Sequence, residues 1–380
     1  MKSNHNIPIT SPHLGGAEIK YILLALNENW VSSMGPNVNG FEADIESYLG
    51  QSTNVAALSS GTAALHLALI LLGVKMGDEV ICQSMTFSAS ANPIIYQGAT
   101  PVFIDSEMDT WNICPIQLEI AIKDRIAKGK NPKAIIIVHL YGMPCKVDEI
   151  QAVAKKYSIP IIEDCAEALG SIYKGQKCGT FGDISILSFN GNKIITTSGG
   201  GALVSKNIQD KEKAIFLATQ ARDEASHYQH SEIGYNYRLS NISAGIGRGQ
   251  MEVLDKYVSL RRQVNQFYKE LFKNVKGISV FTEPSVDFFS NHWLSCILID
   301  EEKTGFSAEK LRRAFAKENI ESRPLWKPMH LQPVFKDALY YGTGISENMF
   351  KTGLCLPSGS NLSETEKLKI NDIWLHFLES

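Results

Sequence analysis

The chain of 380 residues lacks the marks of a secreted, membrane-bound or fibrous protein. Its seven cysteines (82, 114, 145, 165, 178, 296 and 355) are odd in number, scattered, and form no CxxC pair. A disulfide frame or thiolate zinc site is thereby excluded as the organising device, and the pattern fits reduced thiols in a cytoplasm. Charge of one sign is missing too: 37 Lys and Arg stand against 40 Asp and Glu, a formal net charge of −3. Nucleic-acid binding needs a basic excess to neutralise phosphates, so that class is set aside, whereas a small anionic ligand needs only one local pocket. Long apolar runs are absent. The most apolar short stretch, Ala63–Leu72, contains His66 and falls far short of a bilayer span. The polar start Met1–Asn6 has no apolar segment behind it, which argues against a secretory leader. There is no internal repeat and no low-complexity tract.

What is present is alternation. Short β-branched runs at Val80–Gln83, Pro101–Asp105, Ala134–Leu140, Ile159–Asp164, Ile184–Phe189 and Gly201–Val204 read as strands. Helical patterns lie between them at Thr62–Leu72, Ile116–Ala127 and Lys146–Tyr157. The Ala-Ile-Ile-Ile-Val run at 134–138 has no polar alternation, as expected of a parallel strand buried on both faces. The pattern predicts, over residues 1–240, an N-terminal segment with two helical patterns up to about Gly50 and a large α/β domain with a mixed, mostly parallel sheet. A single long helix, Ile242–Phe272, is expected to connect it (241–276) to a smaller C-terminal α+β domain over 277–380. That domain should hold a strand at Leu294–Ile299, a helix at Ala308–Lys317, an extended run at Ile320–Trp326 and a final helix at Glu364–Leu378.

Three local features carry chemistry. Ser59-Ser60-Gly61-Thr62 stands directly before a helix, where free N–H groups and the helix dipole favour an anion, although a plain N-cap uses the same residues. The strand Ile161-Ile162-Glu163-Asp164 ends in acid and runs into Cys165-Ala166-Glu167, at the strand end where open α/β sheets bind ligands. A partly buried carboxylate there needs a cationic partner. Finally Lys193 sits in a turn between apolar runs, with Ser188 five positions before it and Gly199-Gly200-Gly201 after it. Desolvated at such a place, a lysine becomes a nucleophile toward an aldehyde. An anion cradle, an acid for a ring nitrogen and a lysine are the parts of a pyridoxal phosphate site. Two other patterns carry nothing. His227 and His230 have no third ligand nearby, so no metal is expected, and Gly245, Gly247 and Gly249 do not form a dinucleotide fingerprint.

These residues bring a family into view. Ser-Gly-Thr-Ala-Ala-Leu at 60–65, Glu-Asp-Cys-Ala-Glu-Ala-Leu-Gly at 163–170 and Gly-Tyr-Asn-Tyr-Arg-Leu-Ser-Asn at 234–241 resemble the DegT/StrS-type nucleotide-sugar aminotransferases, a fold-type-I pyridoxal phosphate family. Within it, the segments 188–201, 219–222, 323–327 with His330, and 355–359 look most like the branch that aminates a UDP-4-keto-6-deoxy-N-acetylglucosamine in bacillosamine synthesis. The resemblance implies that Lys193 bonds the cofactor and then shuttles a proton, and that Asp164 keeps the pyridine nitrogen protonated. It implies that Gly61, Thr62 and Ser188 hold the phosphate, that Phe87 stacks on the ring, and that Glu167 approaches the ring hydroxyl. Relatives often carry Gln or His in place of Glu167, and an acid beside a phenolate must share a proton. Asn236 would reach the phosphate of a neighbouring subunit, which implies a homodimer with shared sites. Asn29, Trp30, Val31, Ser32, Arg323, Trp326, Lys327 and His330 are the candidates for gripping the nucleotide sugar, with glutamate as amino donor.

Overall fold

A computed structural model describes residues 6–50 and 52–379. The polar start read above as no leader lies, for residues 1–5, outside the described residues. Twelve strands build its two main sheets: β1 Asn54–Leu58, β2 Glu79–Gln83, β3 Thr100–Ile104, β4 Ala134–Val138, β5 Ile161–Asp164, β6 Ile184–Ser188, β7 Gly201–Ser205, β8 Ile278–Val280, β9 Ser295–Ile299, β10 Arg323–Pro324, β11 Leu339–Tyr341 and β12 Gly353–Leu356. The large sheet has the order β1-β7-β6-β5-β4-β2-β3-β11. Only β7 runs against its neighbours; every other pairing is parallel.

Side-chain parity explains why this sheet is covered twice. Val80, Cys82, Ile136, Ile162 and Ile186 point to one face, against the helix α1 Gly61–Leu71. Ile81, Ile135, Ile137 and Ile161 point to the other, against α2 Pro115–Ala127 and α3 Val147–Tyr157. Every residue of β4 is buried, as its unbroken apolar run demands. The small sheet, β8-β9-β12-β10, is antiparallel throughout and packs with Tyr268, Phe272, Phe315 and Trp374 into its own core.

The long connecting helix is broken. It consists of α4 Asn241–Met251 and α5 Leu254–Phe272, with Val253 leaving helical geometry at φ −120°, ψ 5°. The cause is tertiary. Glu252 accepts a hydrogen bond from the Tyr21 hydroxyl (2.8 Å), and the Val253 side chain fills the space a Cβ on Gly15 would need. The first half of the helix is thus held on the N-terminal helical segment while the second half turns toward the small sheet. Gly249 allows that close approach: a Cβ there would lie 2.6 Å from the Glu18 backbone nitrogen. The division of the chain also needs correction in detail. β11, from the 277–380 stretch, leaves the small sheet and pairs with β3 at the edge of the large one, covering an apolar strand edge. Ile7, from the other end of the chain, bridges to Ile320 in the small unit. The extended run expected at Ile320–Trp326 shrinks to β10, which pairs with β12.

Candidate active site

The strand ends place the chemistry. β1, β2, β5 and β6 run in one direction, so the segments that follow them gather at one edge of the sheet. A cavity of about 240 Å³ opens there. Its walls include Gly61, Thr62, Phe87, Asp164, Glu167, Ser188, Lys193 and Trp326 from the sequence candidates.

At one end is the candidate anion cradle. Ser60 caps α1 by accepting the Ala63 N–H at 3.0 Å, and the first N–H groups of the helix, at Gly61 and Thr62, have no partner within it. A Cβ on Gly61 would meet the Ser188 Cβ at 3.1 Å, so glycine brings that hydroxyl-bearing residue against the turn. Gly201 does the same from below, since a Cβ there would lie 2.3 Å from the Ser60 carbonyl carbon. Small residues, partnerless N–H groups and a hydroxyl fit a phosphate.

Asp164 closes β5 and is buried. Its Oδ2 accepts from Ser90 Oγ at 2.7 Å and its Oδ1 from the Ala166 N–H at 3.0 Å. Burial pushes the carboxyl above its usual value, opposed by the Ser90 hydrogen bond and by the charge of Lys193. A carboxylate in that state gains from a cationic ring nitrogen. Glu167, also buried, accepts the Tyr141 N–H at 2.7 Å and lies 3.7 Å from the Lys193 Nζ. Burial raises its pKa as well, with Lys193 pulling it back. An acid inclined to keep its proton suits a neighbour that wants to share one. Lys193 has a side chain only 10% exposed, the desolvation that a nucleophilic lysine needs. Phe87 is half-exposed at the mouth, its ring centroid 5.6 Å from that of Trp326. The residues present therefore fit pyridoxal phosphate, from the phosphate cradle to the ring acid to the lysine.

Other candidates lie outside this cavity. Asn236 is exposed and its backbone bridges to Thr219. Asn29, Trp30, Val31 and Ser32 form a surface loop whose carbonyls at Trp30 and Ser32 accept from Asn241. Arg323 is exposed and ion-paired with Glu321, and Lys327 does not reach the cavity wall. His330 is engaged by Ser84 Oγ (2.7 Å), by Glu347 (3.2 Å) and by the Tyr340 ring, centroid to centroid 3.7 Å. The structure adds residues that local sequence did not single out: Ser90 on Asp164, Tyr141 on Glu167, and Trp293, whose ring lies under Lys193. Only Ser90 had a nearby signal, three positions after the Thr86-Phe87 pair.

Fold and cavity together define a pyridoxal phosphate-dependent sugar aminotransferase. The chain belongs to the DegT/DnrJ/EryC1/StrS aminotransferase family, which it matches over residues 12–373. It is 50% identical to EpsN of Bacillus subtilis (strain 168), named as a pyridoxal phosphate-dependent aminotransferase, over 98% of this chain and 96% of that one. It is 39% identical to the GDP-perosamine synthase of Escherichia coli O157:H7, over 96% of both chains. Among solved structures, the PLP form of the sugar aminotransferase Spr1654 from Streptococcus pneumoniae superposes with a TM-score of 0.88 at 27% identity, over 99% of each chain.

Proposed function

We propose that the enzyme moves the amino group of glutamate to the 4-keto carbon of a UDP-4-keto-6-deoxy-N-acetylhexosamine, giving a UDP-4-amino sugar for surface glycan synthesis in the cytoplasm. The observation that supports the sugar assignment is the position of Trp326. The segment 323–327, which resembles the UDP branch, puts this ring in the wall of the cavity that Lys193 also lines, 5.6 Å from the Phe87 ring, and the Trp326 backbone N–H donates to the Tyr141 hydroxyl at 2.8 Å. An aromatic face there suits a sugar or base.

The bound cofactor supplies an aldehyde for the amino group and a ring that takes up the electrons of a broken C–H bond. The protein's residues do the rest. Gly61, Thr62 and Ser188 bind the phosphate and orient the ring. Asp164, kept dry and steadied by Ser90, holds the ring nitrogen's proton. Glu167 holds a proton at the ring hydroxyl. With the cofactor held there, Lys193 Nζ would take the proton from the glutamate α-carbon and give it up on the cofactor side, and in the second half would carry a proton from that side to the sugar C4. Reaction with glutamate comes first and with the sugar second, each half using the same lysine.

We also infer a homodimer with shared sites. Ile19, Leu23, Leu26, Trp30 and Val31 leave an exposed apolar strip near the N-terminus, which a second copy would cover. In such a dimer the exposed Asn236 serves the neighbour's phosphate, and the 29–32 loop is offered to the neighbour's sugar site. A GDP-linked keto sugar is the second reading, favoured by the 39% identity to GDP-perosamine synthase. Incubation with glutamate and a panel of UDP-, GDP- and dTDP-linked 4-keto and 3-keto sugars, read by mass, separates them. The proposal expects an amine only on the UDP-linked 4-keto sugar; turnover confined to a GDP-linked sugar would overturn it.

A further inference from the structure

Trp293 comes from the last third of the chain yet lies against the cofactor lysine. Its side chain is almost wholly buried, and the Lys193 Nζ stands 4.2 Å from its ring centroid. The ring is held from several sides. The indole N–H donates to the Asn192 carbonyl at 2.7 Å, one residue before the lysine. The Trp293 backbone N–H donates to Asn291 Oδ1 at 2.8 Å, and Asn291 Nδ2 in turn donates to the Glu167 carbonyl at 2.9 Å. The Trp293 carbonyl accepts from Arg261 Nη1 at 2.6 Å, and Arg261 Nη2 reaches the Lys193 carbonyl at 3.5 Å. Arg261 is fully buried and pairs with backbone carbonyls and Thr10, with no carboxylate partner among the described residues. The lysine turn and the tryptophan are thus one hydrogen-bonded unit.

We propose that Trp293 is the positioning residue that holds Lys193 as a free ammonium on its ring face. The inference rests on Lys193 being the cofactor lysine. An aromatic face attracts an ammonium by its quadrupole and a neutral amine far less. It cannot accept a proton, so it steadies the charged lysine without neutralising it. The charged or titratable groups facing this nitrogen are Glu167 at 3.7 Å and Asp164, which responds to its charge, with Arg261 on the main-chain side. A carboxylate can take the proton; the indole face cannot. In the glutamate half the displaced Lys193 amine accepts the α-proton on its lone pair and becomes an ammonium; in the sugar half the same amine accepts a proton from the cofactor side and delivers it to the sugar C4. The electrons of the broken C–H bond stay with the cofactor, and the ammonium then returns its proton and regains its lone pair. Trp293 stabilises the middle stage and holds Nζ between its ring face and Glu167.

The test uses cofactor-free protein and a small acylating reagent, with modification of Lys193 quantified by peptide mapping across pH. In Trp293→Leu and Trp293→Met, labelling at neutral pH is expected to rise about threefold to tenfold while the high-pH plateau stays put. Trp293→Phe, which keeps a ring face, should stay near wild type. An unchanged profile in the ring-less variants overturns the proposal, as does a rise of equal size at every pH, which reports access alone. Should those variants fail to fold, fluorinated tryptophans placed at 293 keep the shape and weaken the face. Labelling that climbs with fluorine content supports the proposal and labelling that ignores it refutes the proposal. If borohydride traps the cofactor on a different lysine, the underlying assignment fails while these labelling profiles still stand, so the two failures are distinct.

Discussion

Ser90→Ala tests how Asp164, the proposed acid for the ring nitrogen, is maintained. The Ser90 hydroxyl donates to Asp164 Oδ2 at 2.7 Å and is itself linked to Thr86 Oγ1 at 2.8 Å. Both Ser90 and Asp164 are buried, so bulk water is a poor substitute for a lost donor. A hydrogen bond to a charged group is worth about 2 kcal/mol, and one pKa unit corresponds to about 1.4 kcal/mol. Burial already raises Asp164, and Ser90 is the foremost group opposing it. Removing Ser90 therefore raises Asp164 further, and the lost hydrogen bond weakens the hold of Asp164 on a protonated ring nitrogen about tenfold. The sign follows: a carboxyl raised in the folded state is ionised only at higher pH, so the acidic limb of cofactor binding moves upward. The assay is cofactor titration by absorbance across pH, with Ser90→Thr as the variant that keeps a hydroxyl. Equal affinity and an unmoved acidic limb in Ser90→Ala, with folding intact, would refute the reasoning.

Three further outcomes are expected. Asp164→Asn should retain cofactor but lose turnover severely, measured by glutamate half-reaction rates; near-normal rates remove its ring-nitrogen role. Glu163 behaves oppositely to Asp164: burial pushes it up, but the His139 imidazole at 2.8 Å and the N–H groups of Gly179 and Gly182 prevail and hold it down at about 2. Its contribution to stability is accordingly present above the ordinary carboxylate range and lost as pH falls toward about 2, and Glu163→Gln should cost about 3 kcal/mol in denaturant unfolding at neutral pH while flattening the acid arm. Mixing inactive Lys193→Ala with inactive Asn236→Ala protein, after subunit exchange, should restore activity if sites are shared; a fully active monomer in sedimentation defeats that idea.

The parts of the candidate site that are contiguous in the chain are legible in it as local patterns. Ser59–Thr62, Asp164–Glu167 and Ser188–Lys193 each combine strand end, turn and small residues within a few positions, and the parallel sheet then brings them to one edge. Trp293 was not legible, because its meaning is a contact across 101 positions with the Asn192 carbonyl. The helix break at Val253 was hidden for a similar reason. No Gly or Pro marks it, the apolar spacing continues through it, and the partners that impose it lie at Gly15 and Tyr21. β11 is three residues long and takes its identity from the edge of β3, more than 200 positions earlier in the chain. His330 entered only with the resemblance carried by segment 323–327; in the structure Ser84, Glu347 and the Tyr340 ring engage it, contacts that the local sequence does not announce.

The most direct measurement is borohydride reduction of the pyridoxal phosphate-loaded enzyme, followed by peptide mapping. The pyridoxyl mass should sit on Lys193, and Lys193→Ala should lose both the mass and the cofactor absorbance that precedes it. A pyridoxyl group on another lysine, or an undiminished absorbance in Lys193→Ala, contradicts the account.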